Sequence, residues 1–479
     1  MKRKPLNTNI KQIYIHAGLH RTATTSVQRT LFHGIDYLTT IGEGYWYPLS
    51  WCLGVGRNQG VVVISMFSKK SDRYQFHSVA NRSKEEIRAF NKDKLAGFIK
   101  EAKATKATTL VLSGEDIASP FFEHDELNMF KKFLEQSFPN ASITIILSLR
   151  ENVKLLVSEM QHRAKMGVPV DPERIVSVAE RVYFSRLKSV RKVFKQDQIV
   201  LFKFEDACKD PFGPVGYLLR KMGIPEDALP NFDYTHANES ISDKSVEIVE
   251  YISEVYPLNV DEQVSKGRYS TDTFVFNSLS GGKYMFKQPL LGRVEANAQI
   301  DKRWLYEHFG VDYLKSGSIS KTEDQKESFT YDELYYREML FALRQASGLI
   351  QYISYQFFQE KLSTELDERS KTIFEQLLSA MELRFPEVVQ HDDIEDLLKQ
   401  NDETIRTSVF NQSHMFNRMG LSTSIHPADF YSELAFMCEK NNQFEAALHF
   451  MKTARLHRLD DLNAIEKCEE YIQILNPKT

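Results

Sequence analysis

Cysteine is scarce in this chain: four in 479 residues, Cys52, Cys208, Cys438 and Cys468. No two form a CxxC pair, so neither a zinc knuckle nor a disulfide framework is indicated, and a reducing, cytoplasmic setting is expected. Long apolar runs are also lacking. None approaches the roughly 20 residues a membrane span needs. The basic opening MKRKPLNTNIKQIYIHAG has no apolar signal core before its first strand-like run. Charge of one sign is not in excess, since 61 Lys and Arg stand against 65 Asp and Glu, a net charge of −4. A broad nucleic-acid surface is thereby disfavoured, while a local basic pocket is not. The 13 histidines show no metal-ligand spacing, so no metal is expected.

The length points to two or three domains. Four short apolar runs, QIYIHA, TTLVLS, ITIILSL and IVLFKF, have the character of buried parallel strands. Each is followed by turn residues and a helical pattern. This predicts a three-layer α/β/α domain with a central parallel sheet, closed by helices and an irregular loop over residues 240–310. Residues 39–82 break the rhythm and form a Gly- and aromatic-rich insertion, expected near the mouth of a site. Its Tyr45, Trp46, Tyr47 and Trp51 suit either stacking on sugar faces or packing of the insertion. The stretch KSGSISKTEDQKES is an expected linker. The expected division is 1–315, a linker at 316–330, and an all-α region at 331–479. Within the last, Ala435, Ala447 and Ala454 with Tyr431, Leu434 and Phe444 are spaced as in one tetratricopeptide-type hairpin, or in an ordinary helical bundle. Such helices suit binding a protein partner or self-association.

The segment IYIHAGLHRTATTSVQRTL, residues 13–31, joins an apolar β-prone half to a helical half through a short turn. A helix start after a buried strand offers unpaired N–H groups and a partial positive charge, which together hold phosphate or sulfate. Aligned with the nucleoside-triphosphate loop GxxxxGK[ST], the frame from Gly18 fits. However, Thr24 stands at the lysine and Ala23 at the second glycine. The cation is instead Arg21, on the turn itself.

Here the sequence resembles the sulfotransferases that use 3′-phosphoadenylyl sulfate, particularly their bacterial carbohydrate-type branch. That family's 5′-phosphosulfate loop runs roughly GxxKTGTT followed by Ser or Thr. Gly18, Thr22, Thr24, Thr25 and Ser26 match it, Arg21 replaces the lysine and Ala23 a glycine. His20 lies in the same loop. A second element agrees: in LSLRENVKLLVSEMQHR, Arg150 stands just past a strand and Ser158 eight residues later, the family's 3′-phosphate pair. An arginine fork and a hydroxyl suit a phosphate monoester, with charge-assisted bonds contributing about 1.5–3 kcal/mol each. The stretches TTLVLSGEDIAS and LFKFEDACKDPFGPVGYLLRKMGIP, the latter carrying Glu205, also resemble family segments in the right order. The resemblance spans about residues 11–310.

It implies transfer of a sulfuryl group from 3′-phosphoadenylyl sulfate to an acceptor hydroxyl, on a glycan if the branch resemblance holds. The loop N–H groups, Arg21 and the Thr24 and Thr25 hydroxyls would meet charge on the leaving oxygen. The acceptor's proton needs a base. Glu115, after the second apolar run, and Glu43, in the insertion, both qualify, with His20 and His77 behind them. His16, on a strand, suits a core role. Two other readings stand beside this one: a P-loop kinase, with Glu115 or Asp116 holding magnesium, and a helical scaffold with a degenerate α/β domain.

Overall fold

The computed structural model describes residues 5–19, 21–54, 56–78, 80–120, 122–169, 171–235, 240–260, 263–268, 272–314, 331–399, 427–440, 443–457 and 462–475. His20 and the expected linker at 316–330 lie outside the described residues. Two compact units emerge. One holds Met1–Glu159, Asp171–Glu239 and Phe286–Lys321; the other holds Met160–Val170, Ser240–Met285 and Thr322–Thr479. The units thus interleave along the chain, and residues 240–285, read from sequence as closing the first domain, pack with the second.

The first unit is built on five parallel strands: β1 (Gln12–His16), β2 (Tyr45–Trp46), β3 (Thr109–Ser113), β4 (Ser142–Leu149) and β5 (Ile199–Lys203). Their order across the sheet is β2-β3-β1-β4-β5. The four apolar runs become β1, β3, β4 and β5. Ile13, Ile15, Leu110, Leu112, Ile145 and Leu147 are buried on one side, Val111 and Ile146 on the other, so both sheet faces are covered. Register pairs His16 of β1 with Ser113 of β3 and with Ile146 of β4. The chain leaves β1 toward β3 and later crosses back to β4. The sheet therefore has its topological switch beside β1, and ligands in open α/β sheets collect at the carboxyl ends of strands at such a point.

The longer helices of this unit up to Lys221 are α1 (Thr24–His33), α2 (Gly60–Phe67), α3 (Lys84–Ala104), α4 (His124–Ser137), α5 (Asn152–Lys165), α6 (Pro172–Ala179), α7 (Val182–Val193) and α8 (Gly213–Lys221), of which α5 runs on past Glu159. Val27 and Leu31 of α1 pack with Val215, Leu218 and Leu219 of α8 against Ile146 and Phe202. The insertion's rings are core. Trp51 is fully buried and stacks on Phe98 at 4.4 Å, Trp46 tilts against the same ring at 5.0 Å, and Tyr47 is buried. Of the two uses open to these aromatics, the structure shows packing.

In the second unit, α9 (Asp243–Val255) packs Val246, Ile248, Val249 and Ile252 into one cluster with residues of three later helices. Leu290–Phe309 is α10 and belongs to the first unit; the three are α11 (Glu333–Leu343), α12 (Gly348–Leu362) and α13 (Glu368–Arg384). A two-strand antiparallel ribbon, β6 (Asn259–Val260) with β7 (Gln263–Val264), follows α9. The final helices are α14 (Pro427–Lys440), α15 (Phe444–His457) and α16 (Leu462–Leu475). Ala435, Ala447 and Ala454 are buried among Met451, Cys468 and Tyr471, as small contacts between close helices must be. Among the described residues no helix is long and apolar enough to cross a membrane.

Candidate functional site

The turn after β1 is tight and partly left-handed. Arg21 has φ 69° and Ala23 φ 61°, a region that costs an L-residue roughly 1–2 kcal/mol. Two threonines close it: Thr22 Oγ1 donates to the Leu19 carbonyl at 2.6 Å, and Thr24 Oγ1 to the same oxygen at 3.2 Å. Gly18 is required by close approach, because a Cβ there would meet Thr24 Oγ1 at 2.5 Å and His16 Nε2 at 2.6 Å. No side chain caps α1, whose first turn carries no acid. The helix start is therefore anion-attracting.

Beneath the turn lies a buried polar layer. His16 Nδ1 is 2.8 Å from Ser113 Oγ, and Gln28 Nε2 donates to the Ser113 carbonyl at 3.3 Å. Burial drives the His16 imidazole down to about 4, against a smaller upward pull from Glu115. It is neutral at pH 7. A His with an ordinary value near 6.5 when unfolded binds its proton first in the unfolded chain. Stability from this residue is therefore complete above about pH 6.5 and is lost as pH falls toward 4, by on the order of 3 kcal/mol. Urea unfolding of the parent and His16→Asn at pH 7.5, 6 and 4.5 measures this. The variant should lose less stability on acidification, and parallel losses in the two would refute it.

Arg150 follows β4 at the same edge. Its Nη1 donates to the Arg21 carbonyl at 3.1 Å, which joins the strand end to the turn across the switch point. Its guanidinium lies 5.4 Å from the Phe204 ring centre. Both arginines have proton affinities lowered chiefly by burial. Glu115 and Glu159 oppose this at Arg21, and the nearby Arg150 adds to it. Arg150 is close enough for its charge to act on Arg21, and two cations so placed draw an anion. Ser158 is half-buried on α5. Its neighbour Glu159 is within electrostatic reach of Arg21. Ser148 Oγ, two residues before Arg150, is buried with no hydrogen-bond partner.

Glu115 opens the single turn Glu115–Ala118 after β3, half-buried, and its charge acts on both Arg21 and His16. Glu43 is not brought to this edge. It precedes β2, its carbonyl accepts the Thr108 N–H at 3.2 Å ahead of β3, and its carboxylate pairs with Lys11 at 3.0 Å in solvent. That is where the strands begin, at the opposite end of the sheet. Spacing along the chain gave no sign of the side on which the insertion starts. His77 is also elsewhere. It is fully buried in a chain of bonds, with Arg82 Nη1 at 3.3 Å from Nδ1 and Ser65 Oγ at 2.7 Å from Nε2.

The later part of the insertion does reach the site. Gln59 N–H donates to the Ser113 carbonyl at 3.1 Å, and Gln59 Oε1 accepts the Ser113 N–H at 2.9 Å. Asp116 accepts from Asn58 Nδ2 at 3.1 Å and from the Tyr74 hydroxyl at 2.8 Å. A Cβ on Gly56 would touch Thr25 Cγ2 at 3.9 Å. Asn58, Gln59 and Tyr74 escaped the sequence reading, and the Asn-Gln-Gly run that leads into α2 was the available signal for the first two. Among the described residues no group of three or more His, Cys, Asp or Glu could hold a metal ion.

Residues 120–271 match the sulfotransferase domain family. The matched segment contains Arg150, Ser158 and Glu205, and the Gly18 turn lies before it. Two solved structures are similar. One is a sulfotransferase from Alicyclobacillus acidocaldarius, 13% identical, TM-score 0.34, covering 65% of this chain and 98% of its own. The other is the sulfotransferase domain of the Synechococcus PCC 7002 olefin synthase, 13% identical, TM-score 0.27, covering 62% and 98%. No curated protein sequence matches the chain. The chain thus carries a sulfotransferase-like α/β domain, of a transferase family, with a largely helical C-terminal region. A domain of this family implies sulfuryl transfer to an acceptor.

Proposed function

We propose that the first unit binds 3′-phosphoadenylyl sulfate and transfers its sulfuryl group to a hydroxyl of a glycan. The observation that carries the donor reading is the Arg21–Arg150 contact across the switch point, beside the uncapped start of α1. In this reading Gly18, Arg21, Thr22, Ala23, Thr24, Thr25 and Ser26, with His20 between them in sequence, hold the 5′-phosphosulfate, and Arg150 and Ser158 the 3′-phosphate. Two arginines beside a helix start that no side chain caps and whose first turn carries no acid suit such a group. When bound, the donor supplies an activated sulfuryl group. The protein's part is to hold the acceptor hydroxyl in line, take its proton and stabilise the growing negative charge.

Glu115 is our choice for the proton acceptor, since it stands at the edge that carries the arginines. The glycan acceptor rests on the carbohydrate-branch resemblance of the loop, because the aromatic rings of the insertion are committed to the core. The scarcity of cysteine and the lack of a CxxC pair accord with a reducing, cytoplasmic setting. For α14 to α16 we retain the tetratricopeptide-type reading and a role in binding a protein partner or a second copy.

A thermal-shift series tests the donor reading. Adenosine 3′,5′-bisphosphate without metal should stabilise the protein, by about 2.7 kcal/mol at 100 times its Kd. Adenosine 5′-phosphate at the same concentration should do much less, and ATP with Mg²⁺ should not replace the bisphosphate. Arg150→Ala should erase the 3′-phosphate preference, at a cost of about 1.5–3 kcal/mol in binding. Equal affinity for the two adenosine nucleotides in the parent would rule the reading out, and stabilisation by ATP with Mg²⁺ alone would turn it toward a kinase.

A further inference from the structure

The turn from β4 into α5 is held from outside at every residue. The Leu149 carbonyl accepts from the Tyr313 hydroxyl at 2.8 Å, and that hydroxyl also lies 3.0 Å from Glu205 Oε2. Arg150 N–H donates to the Tyr183 hydroxyl at 2.9 Å, and the same hydroxyl donates to the Arg150 carbonyl. Glu151 N–H donates to Glu205 Oε1 at 2.8 Å, while the Glu151 carboxylate pairs with the buried Lys302 at 2.5 Å. Asn152 Nδ2 donates to Asp301 Oδ2 at 2.8 Å, and Asp301 also accepts the N–H groups of Tyr183 and Phe184.

The two tyrosines come from distant parts of the chain, Tyr183 from α7 and Tyr313 from beyond α10. Both are almost fully buried, and burial is the chief force raising their proton affinity, so both stay neutral donors at ordinary pH. A residue on a strand presents its N–H and C=O on one side, and a paired strand normally takes both. At Arg150 the sheet has ended, and one phenol hydroxyl takes the place of that partner. The consequence lies in the side chain. Arginine has many rotamers, and a guanidinium that must meet a phosphate fork is effective only when its backbone is fixed. Here the backbone is fixed by Tyr183 and Tyr313, and the guanidinium by the Arg21 carbonyl and the Phe204 face.

We propose that Tyr183 and Tyr313 are positioning residues for recognition of the donor's 3′-phosphate: they touch no ligand and set the selectivity of Arg150 through its backbone. This rests on the donor reading above. It predicts an effect that mere stabilisation of the fold does not produce, a change in the ratio of two ligand affinities measured on the same folded protein.

The test uses the full chain and isothermal titration with adenosine 3′,5′-bisphosphate and adenosine 5′-phosphate. Tyr183→Phe keeps the ring and removes both bonds to Arg150. The ratio of the two affinities should fall roughly tenfold, with the 5′-phosphate affinity nearly unchanged. In an Arg150→Ala background the same change should leave the ratio where Arg150→Ala alone puts it, because Tyr183 acts through Arg150. Tyr313→Phe, one residue further back, should lower the ratio in the same direction, and it carries the test if Tyr183→Phe does not fold. A parent with no preference overturns the donor reading and this inference with it. A parent preference that survives intact in either folded tyrosine variant overturns this inference alone.

Discussion

A chain ending at Ser320 is expected to aggregate rather than fold. The cut removes α11 to α16 and leaves α9 in place. The inner face of α9, with Val246, Ile248, Val249 and Ile252 fully buried, packs in one cluster with Met339, Leu343, Leu349, Ile353, Phe357 and Phe374, all beyond the cut. Each such side chain contributes about 1.5–3 kcal/mol when buried, so the four on α9 alone represent roughly 6–12 kcal/mol. That is the order of the whole stability of a domain. Polar ties are lost as well. Glu247 would part from Lys361, now 2.5 Å away, and from the Tyr331 hydroxyl. The face left bare is a contiguous apolar patch of the kind that drives association. Size-exclusion chromatography with light scattering reads the outcome. A monodisperse shortened chain that binds adenosine 3′,5′-bisphosphate like the parent would show that residues 240–285 need nothing beyond Ser320, and would support a cut near 315 as a true boundary.

That boundary illustrates what a sequence displays and what it hides. A polar stretch at 315–328 is visible as a composition change. A helix such as α9 carries an apolar stripe whichever partner covers it, so its allegiance cannot be read from periodicity. β1, β3, β4 and β5 were legible because strands buried on both faces are nearly continuous apolar runs bounded by turn residues. β2 was not, since two residues, Tyr45 and Trp46, make no pattern. The Gly18 turn and Arg150 were visible because their chemistry is local: a strand, a short turn, a cation and a helix start. The side on which Glu43 falls, and the hydroxyls that hold Arg150, depend on residues tens to hundreds of positions apart. Ala23 lies between these cases. Its φ of 61° shows why the resembling family places glycine there, a constraint that alanine meets at some cost in strain.

Glu115→Gln is expected to lower the rate of sulfuryl transfer roughly 10²–10⁴-fold while leaving nucleotide binding near its parent value. The carboxylate follows β3 at the edge where Arg21 and Arg150 stand, and its charge is felt at Arg21. Glutamine keeps the size and one acceptor oxygen but cannot take a proton. A group that acts only in the chemical step should change turnover and spare affinity. Glu115 also serves Arg21 as a counter-charge, and the two roles separate in the measurement. Loss of counter-charge alone would strengthen anion binding and leave the pH dependence of the rate intact. Loss of a base would abolish the acid limb of the pH–rate profile with little change in Kd. Glu43→Gln is the control, since its carboxylate pairs with Lys11 at the far end of the sheet and should be silent. Single-turnover transfer from labelled 3′-phosphoadenylyl sulfate to an oligosaccharide panel gives the rates, and titration with adenosine 3′,5′-bisphosphate gives the affinities. A Glu115→Gln rate close to the parent's would dismiss Glu115 as the base, and a large loss in Glu43→Gln would mean that the acceptor reaches the edge where the strands begin.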